Sequence, residues 1–175
     1  MDNQDLTREI SRLLGMIDPS RPYGTELFHA LCRLTITPCI EAVCLQKRFG
    51  NAEVDVLMTK RAATESAYPG EWHCPGTALR PGESFKDALK RVARTEFRAR
   101  LTKENFVTLW DNLHEARGHF HHFIYLCELG PGPEGIWFPA DPLPSDTDDF
   151  KIISGHRSHV IPVALAVYKK KMEEQ

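Results

Sequence analysis

No cysteine pair spaced C-x-x-C occurs in this chain, and its five cysteines, Cys32, Cys39, Cys44, Cys74 and Cys127, are odd in number and unevenly spaced. That pattern suggests neither a disulfide framework nor a thiolate zinc site, and it fits a reducing, cytoplasmic setting. Long apolar runs are missing too. Nothing approaches the roughly 18 apolar residues of a membrane span, and the opening MDNQDLTREI is polar and acidic rather than basic and then apolar. A soluble, unexported chain with no membrane partner is the expectation. Neither sign of charge dominates: 22 Lys and Arg against 24 Asp and Glu leave a net charge of -2. There is therefore no overall electrostatic signal for nucleic acid, and any phosphate binding must be local.

What the chain does contain is enough apolar residue for one core. At 175 residues and 42% hydrophobic composition it can bury about two thirds of its unfolded surface in a single domain. Leu6, Ile10, Leu13, Leu14 and Ile17 recur at helical spacing until Asp18-Pro19-Ser20-Arg21-Pro22 stops them, which predicts an amphipathic N-terminal helix. Residues 1 to 36 read as a helical extension packed on the domain formed by residues 37 to 175; a homodimer contact would use the same stripe. A second helix is predicted over 25 to 33. Cys39 to Leu45 and Val54 to Thr59 read as a hairpin around Phe49-Gly50-Asn51. Ser84 and Asp87 form a start signal for a helix from about 85 to 98. Phe106 to Asp111, His119 to Leu129 and Trp137-Phe138 read as further strands, and Val160 to Met172 as a closing helix that tolerates Pro162 in its first turn.

The stretch richest in chemistry is Glu71-Trp72-His73-Cys74-Pro75-Gly76-Thr77, then Arg80-Pro81-Gly82-Glu83-Ser84, then the helix carrying Arg91 and Glu96. A loop punctuated by Pro and Gly that runs directly into a charged helix suits a site where backbone and carboxylates hold a metal ion and phosphates. These residues resemble the Nudix family, whose box reads G-x5-E-x7-R-E-U-x-E-E-x-G-U, with U aliphatic, after a W-x-x-P-G lead-in. Trp72, Pro75, Gly76, Pro81, Gly82, Glu83, Ala88, Arg91, Ala93 and Glu96 fall on its positions. Lys60-Arg61, Trp137-Phe138, Leu143-Pro144 and the final helix extend the resemblance over about residues 37 to 168.

The resemblance implies an α/β fold, a Nudix-like α/β/α sandwich with a mixed sheet, to which this chain adds its N-terminal helix. It also implies Mg²⁺ or Mn²⁺ held by the box glutamates against the diphosphate of a nucleotide-like ligand. This chain departs from the box at Thr77, Val92, Thr95 and Arg98, which stand where the family has glycine, glutamate, glutamate and glycine. Glu83 and Glu96 are the two box carboxylates that remain, and they are the metal ligands the resemblance implies. Arg91 orients them, and Lys60, Arg61, Gly76 and Thr77 meet the substrate. Positions 92, 95 and 96 share a helical face, so restoring glutamate at 92 and 95 is expected to rebuild a three-carboxylate patch.

Two functions follow from this reading. One is a hydrolase of a nucleoside diphosphate linked to another group, with a depleted metal site and weak or altered activity; loss of a general base costs on the order of 10² to 10⁴ in rate unless another group replaces it. The other is a non-catalytic module that binds a nucleotide or a protein partner in the same cleft. Glu115 and His119 are candidates to replace the lost base, and the histidines from His114 to His122 offer a third possibility, a transition-metal site.

Overall fold

The computed structural model describes residues 2–19, 21, 23–50 and 52–174. Its elements run α1 (Asn3–Leu14), α2 (Thr25–Leu34), β1 (Thr37–Lys47), β2 (Val54–Lys60), β3 (Trp72–His73), β4 (Gly76–Ala78), α3 (Phe85–Glu96), β5 (Leu101–Glu115), β6 (Gly118–Leu129), β7 (Ile136–Pro139), a π-helical turn (His156–Val160) and α4 (Ile161–Glu173). The strands form one sheet in the order β3-β2-β1-β6-β5, with β4 pairing β1 and β7 pairing β2. Of the pairs between these strands β1–β6 is parallel and the others antiparallel, which makes the sheet mixed. β1 lies at its centre, and Cys39 to Cys44 are buried without a break, as a strand covered on both faces requires.

Both faces are covered by helix, and α2 adds a smaller cluster of Cys32, Cys39 and Phe120. On one side Ala88, Leu89, Val92 and Phe97 close over Ile40, Ala42 and Leu57. On the other Val160, Ile161, Ala164 and Leu165 of the closing helical segment cover Val43, Val56, Met58 and Ile124. The α/β/α sandwich and the mixed sheet are therefore observed. Alternate residues of a strand point to opposite faces, so Glu41, between Ile40 and Ala42, points away from α3. That alternation positions most of the site below.

Some boundaries move. β3 and β4, too short to show a period, were not anticipated, and β5 begins at Leu101 rather than Phe106. α3 starts where expected: Ser84 caps it by accepting from the Asp87 amide. The β1–β2 hairpin forms, with Asn51 of its turn lying outside the described residues. α2 packs near β6, and Gly118 at the β5–β6 turn (φ 144°) is required there, since a Cβ would run into the Cys32 carbonyl. α1 buries none of its residues, and Leu6, Ile10, Leu13 and Leu14 remain exposed.

Candidate functional site

The guanidinium of Arg91 organises the box loop. Its Nε and Nη2 donate to Glu83 Oε1 and Oε2 at 2.8 and 2.7 Å, Nη1 donates to Thr77 Oγ1 at 2.7 Å, and Nη2 also reaches the Ala78 carbonyl at 3.1 Å. A fork-to-fork pair of this kind is the strong form of ion pair, and it is largely buried here. The Arg91 hydrogen bonds hold the Glu83 carboxyl below its ordinary range. The Arg80 amide adds a third donor at 3.2 Å. Glu83 is thus committed to fixing the loop on the helix, with only its remaining lone pairs free for an ion.

Glu96 sits at the solvent end of the same helix, with Thr95 Oγ1 at 3.4 Å its one hydrogen-bond partner among the described residues. Val92, one turn earlier, is 1% exposed and belongs to the core. Glu96, Arg91, Lys60, Arg61, Gly76 and Thr77 all line one cleft of about 670 Å³. Arg61 is partly engaged, donating to the Ala67 carbonyl and to Glu65. The six residues named from the sequence thus meet in one place, with Glu83 joined to them through Arg91.

A second space, of about 320 Å³, adjoins the cleft and shares Arg61, His73, Gly76, Thr77 and Ala78 with it. Among its lining residues Cys39, Glu41, His73, His122 and His156 are buried. His122 Nδ1 is 2.9 Å from Glu41 Oε1, Cys39 Sγ is 3.2 Å from the same nitrogen, and His156 Nε2 is 3.9 Å from Glu41 Oε2. Trp110 stacks on His122 at 4.8 Å. Burial, reinforced by Glu41, pushes the Cys39 thiol far up, and burial with His156 and Arg61 nearby pushes His73 down to about 3. Gly76 is required for closure: any Cβ would fall inside contact distance of Glu41 Oε2 and the Ile40 carbonyl.

Glu115 also lines this cavity, whereas His119 lines neither space and instead pairs with Asp111 at 2.5 Å beside His121. Burial alone would raise the Glu115 carboxyl. The Tyr68 hydroxyl, donating at 2.5 Å, and Arg117 outweigh it and hold the group below the usual carboxylate range. Tyr68 is correspondingly pushed up to about 12, chiefly by its burial and then by that bond. Of the cavity groups, Cys39, Glu41, Tyr68, His73 and Arg117 were not anticipated. Glu41 did leave a signal, since it is the one charged residue in the run Cys39 to Leu45. Nothing local marks the others, because their meeting depends on strand register.

A family profile described as the NUDIX domain matches residues 40–154. Nucleoside triphosphatase NudI from Enterobacter sp. (strain 638) is 38% identical over 45 residues, which are 26% of this chain and 32% of that protein's length. The fold resembles a MutT/nudix family protein from Enterococcus faecalis, with a TM-score of 0.58 and 15% identity over 92% of this chain and 69% of that one. It also resembles the NUDIX domain of Shewanella oneidensis NrtR complexed with ADP ribose, with a TM-score of 0.54 and 15% identity over 94% and 98%. Profile, box residues and architecture agree: the chain belongs to the Nudix family.

Proposed function

We propose that this chain is a slow Nudix-type hydrolase of a nucleoside diphosphate linked to a second group. The observation that carries this reading is the common lining of one cleft by Lys60, Arg61, Gly76, Thr77, Arg91 and Glu96. Lys60 and the free part of Arg61 neutralise phosphate charge, while the polar cavity beyond Gly76 accepts the nucleoside. The donor chemistry suits a hard divalent ion: Glu96, and a remaining lone pair of Glu83, would be the protein ligands for Mg²⁺ or Mn²⁺, with the substrate's own oxygens completing the set. Bound, such an ion would supply charge neutralisation at the diphosphate and a more acidic water. Arg91 keeps Glu83 ionised and aimed. With one uncommitted carboxylate the rate is low.

A second reading, a binding module without turnover, is favoured by the commitment of Glu83 to Arg91 and the burial of Val92. ADP ribose, bound by the NrtR domain whose fold this chain resembles, is a first ligand to try in either case.

The experiment is a hydrolysis screen of nucleoside diphosphate compounds with Mg²⁺, run beside calorimetry of the same compounds. Micromolar binding with slow, Mg²⁺-dependent turnover that Glu96→Gln reduces by about 10² or more is expected. Binding without any turnover would replace the enzymatic reading with the module. Turnover unchanged in Glu96→Gln would move the metal site elsewhere.

A further inference from the structure

We propose that Cys39, Glu41 and His122 form a site for a divalent transition ion of the zinc class, on the face of the sheet opposite α3. Cys39 and His122 are directly opposite one another on the parallel strands β1 and β6, and Glu41 lies two residues further along β1 on the same face. One donor atom from each lies within 4.8 Å of the others. The 3.2 Å between Cys39 Sγ and His122 Nδ1, and the 2.9 Å from there to Glu41 Oε1, are a few tenths below ligand spacings in a tetrahedral centre. Metal–ligand bonds of about 2.0–2.3 Å set those spacings near roughly 3.3–3.6 Å. A small outward movement seats an ion.

Glu41 Oε1 and His122 Nδ1 meet each other and the Cys39 thiol, while the second heteroatom of each of these two side chains, Glu41 Oε2 and His122 Nε2, is buried without a hydrogen-bond partner among the described residues, so the protein alone does not fully satisfy the pair. Both side chains are more than nine-tenths buried. No guanidinium or ammonium hydrogen-bonds Glu41 among the described residues, since Arg61 is directed to Ala67 and Glu65, and Arg117 to Glu115. The neighbours of Glu41 of basic type are the imidazoles of His122 and His156, at 2.9 and 3.9 Å, and a dication at Oε1 compensates a buried carboxylate more fully than they do.

The donor types choose the ion. A thiolate, an imidazole and a carboxylate favour Zn²⁺ and its neighbours over Mg²⁺ or Ca²⁺, which prefer oxygen alone. His156 accepts the Cys74 amide at Nδ1, 3.1 Å away, so its neutral ring carries the proton on Nε2, facing Glu41 Oε2. It is thereby placed as an outer partner of the carboxylate. All three donors line the cavity of about 320 Å³, so three protein ligands leave the fourth position facing that space. On binding, the Cys39 S–H bond breaks, the sulfur–metal bond forms and the proton goes to solvent. The site is independent of the box carboxylates and does not require that the protein hydrolyse anything.

Co²⁺ titration of protein without a histidine tag tests this. Saturation at one equivalent is expected, with a thiolate-to-cobalt charge-transfer band in the near ultraviolet that one equivalent of Zn²⁺ displaces and excess Mg²⁺ does not. Cys39→Ser should remove the band, and Glu41→Gln should weaken Co²⁺ binding at least about tenfold, each with unchanged far-UV circular dichroism. The paired change Asp111→Asn with His119→Asn removes the other three-donor cluster, which is more exposed, and should leave the titration as it was. The proposal is overturned if folded wild-type protein takes up no Co²⁺ at micromolar concentration, if the band survives Cys39→Ser, or if the Asp111/His119 change abolishes uptake. Should Cys39→Ser fail to fold, the presence or absence of the charge-transfer band in the wild-type protein still decides.

Discussion

Arg98 occupies a backbone conformation, φ 50°, that suits glycine far better than a residue with a side chain. It follows Phe97, the C-cap of α3, and the chain then folds back so that the Ala99 amide donates to the Ala93 carbonyl at 3.0 Å. The family has glycine at this position. Its replacement here strains the turn, and the exposed Arg98 side chain makes only a 3.9 Å pair with Glu134 in return. Arg98→Gly is therefore expected to stabilise the fold by about 0.5–1 kcal/mol, the relief of the left-handed strain less the greater freedom of glycine in the unfolded chain. Urea denaturation reads this directly; a lower midpoint for the variant would show that the turn is not strained.

At the scale of elements, α3 limits what its surface can be made to do. Val92 is buried against the sheet beside Leu89 and Phe97, whereas Thr95 is exposed and its hydroxyl bonds the Arg91 carbonyl. Restoring both family glutamates therefore divides into two unequal steps. Thr95→Glu should change stability by less than about 1 kcal/mol and tighten Mg²⁺ binding beside Glu96. Adding Val92→Glu should cost roughly 3 kcal/mol or more, because the carboxylate must enter an apolar core or drag the helix off the sheet. Thermal melts of the single and double variants check this, and a double variant as stable as the single one would mean that α3 can roll to expose position 92. Periodicity alone placed 92, 95 and 96 on one face, but Val92 lies in the core while Thr95 and Glu96 are exposed, because spacing does not tell how far round the helix the core extends. α1 illustrates the same limit: its stripe of Leu6, Ile10 and Leu13 was legible, and its exposure was not.

For the whole molecule, acid stability should be governed early by a buried imidazole. His73 is held down to about 3, against an ordinary value near 6.5, so the unfolded chain takes up a proton that the folded one refuses. Its contribution is complete above about pH 6.5 and is lost as pH falls toward 3, at a limiting slope of about 1.4 kcal/mol per pH unit. Denaturant midpoints between pH 7 and 4 should fall in the wild type and fall less steeply in His73→Asn; parallel slopes would contradict the assignment. His73 and its neighbours also mark where sequence reading stopped. The sequence by itself determined the family, the helix caps and the box loop, because turn residues, caps and the Glu83 to Arg91 spacing act over a few residues along the chain. It showed, too, that positions 92 and 95 carry no carboxylate, since Val92 and Thr95 are read directly from the chain. Only the tertiary structure decided that Glu83 is locked by Arg91, that Val92 is core, and that Cys39, Glu41, His122 and His156 converge. Glu41 and Cys39 lie 81 and 83 positions from the His122 they touch, and it is the parallel register of β1 on β6 that brings Cys39 opposite His122. Register is fixed by burying both faces of the sheet at once, a condition that no local stretch of sequence contains.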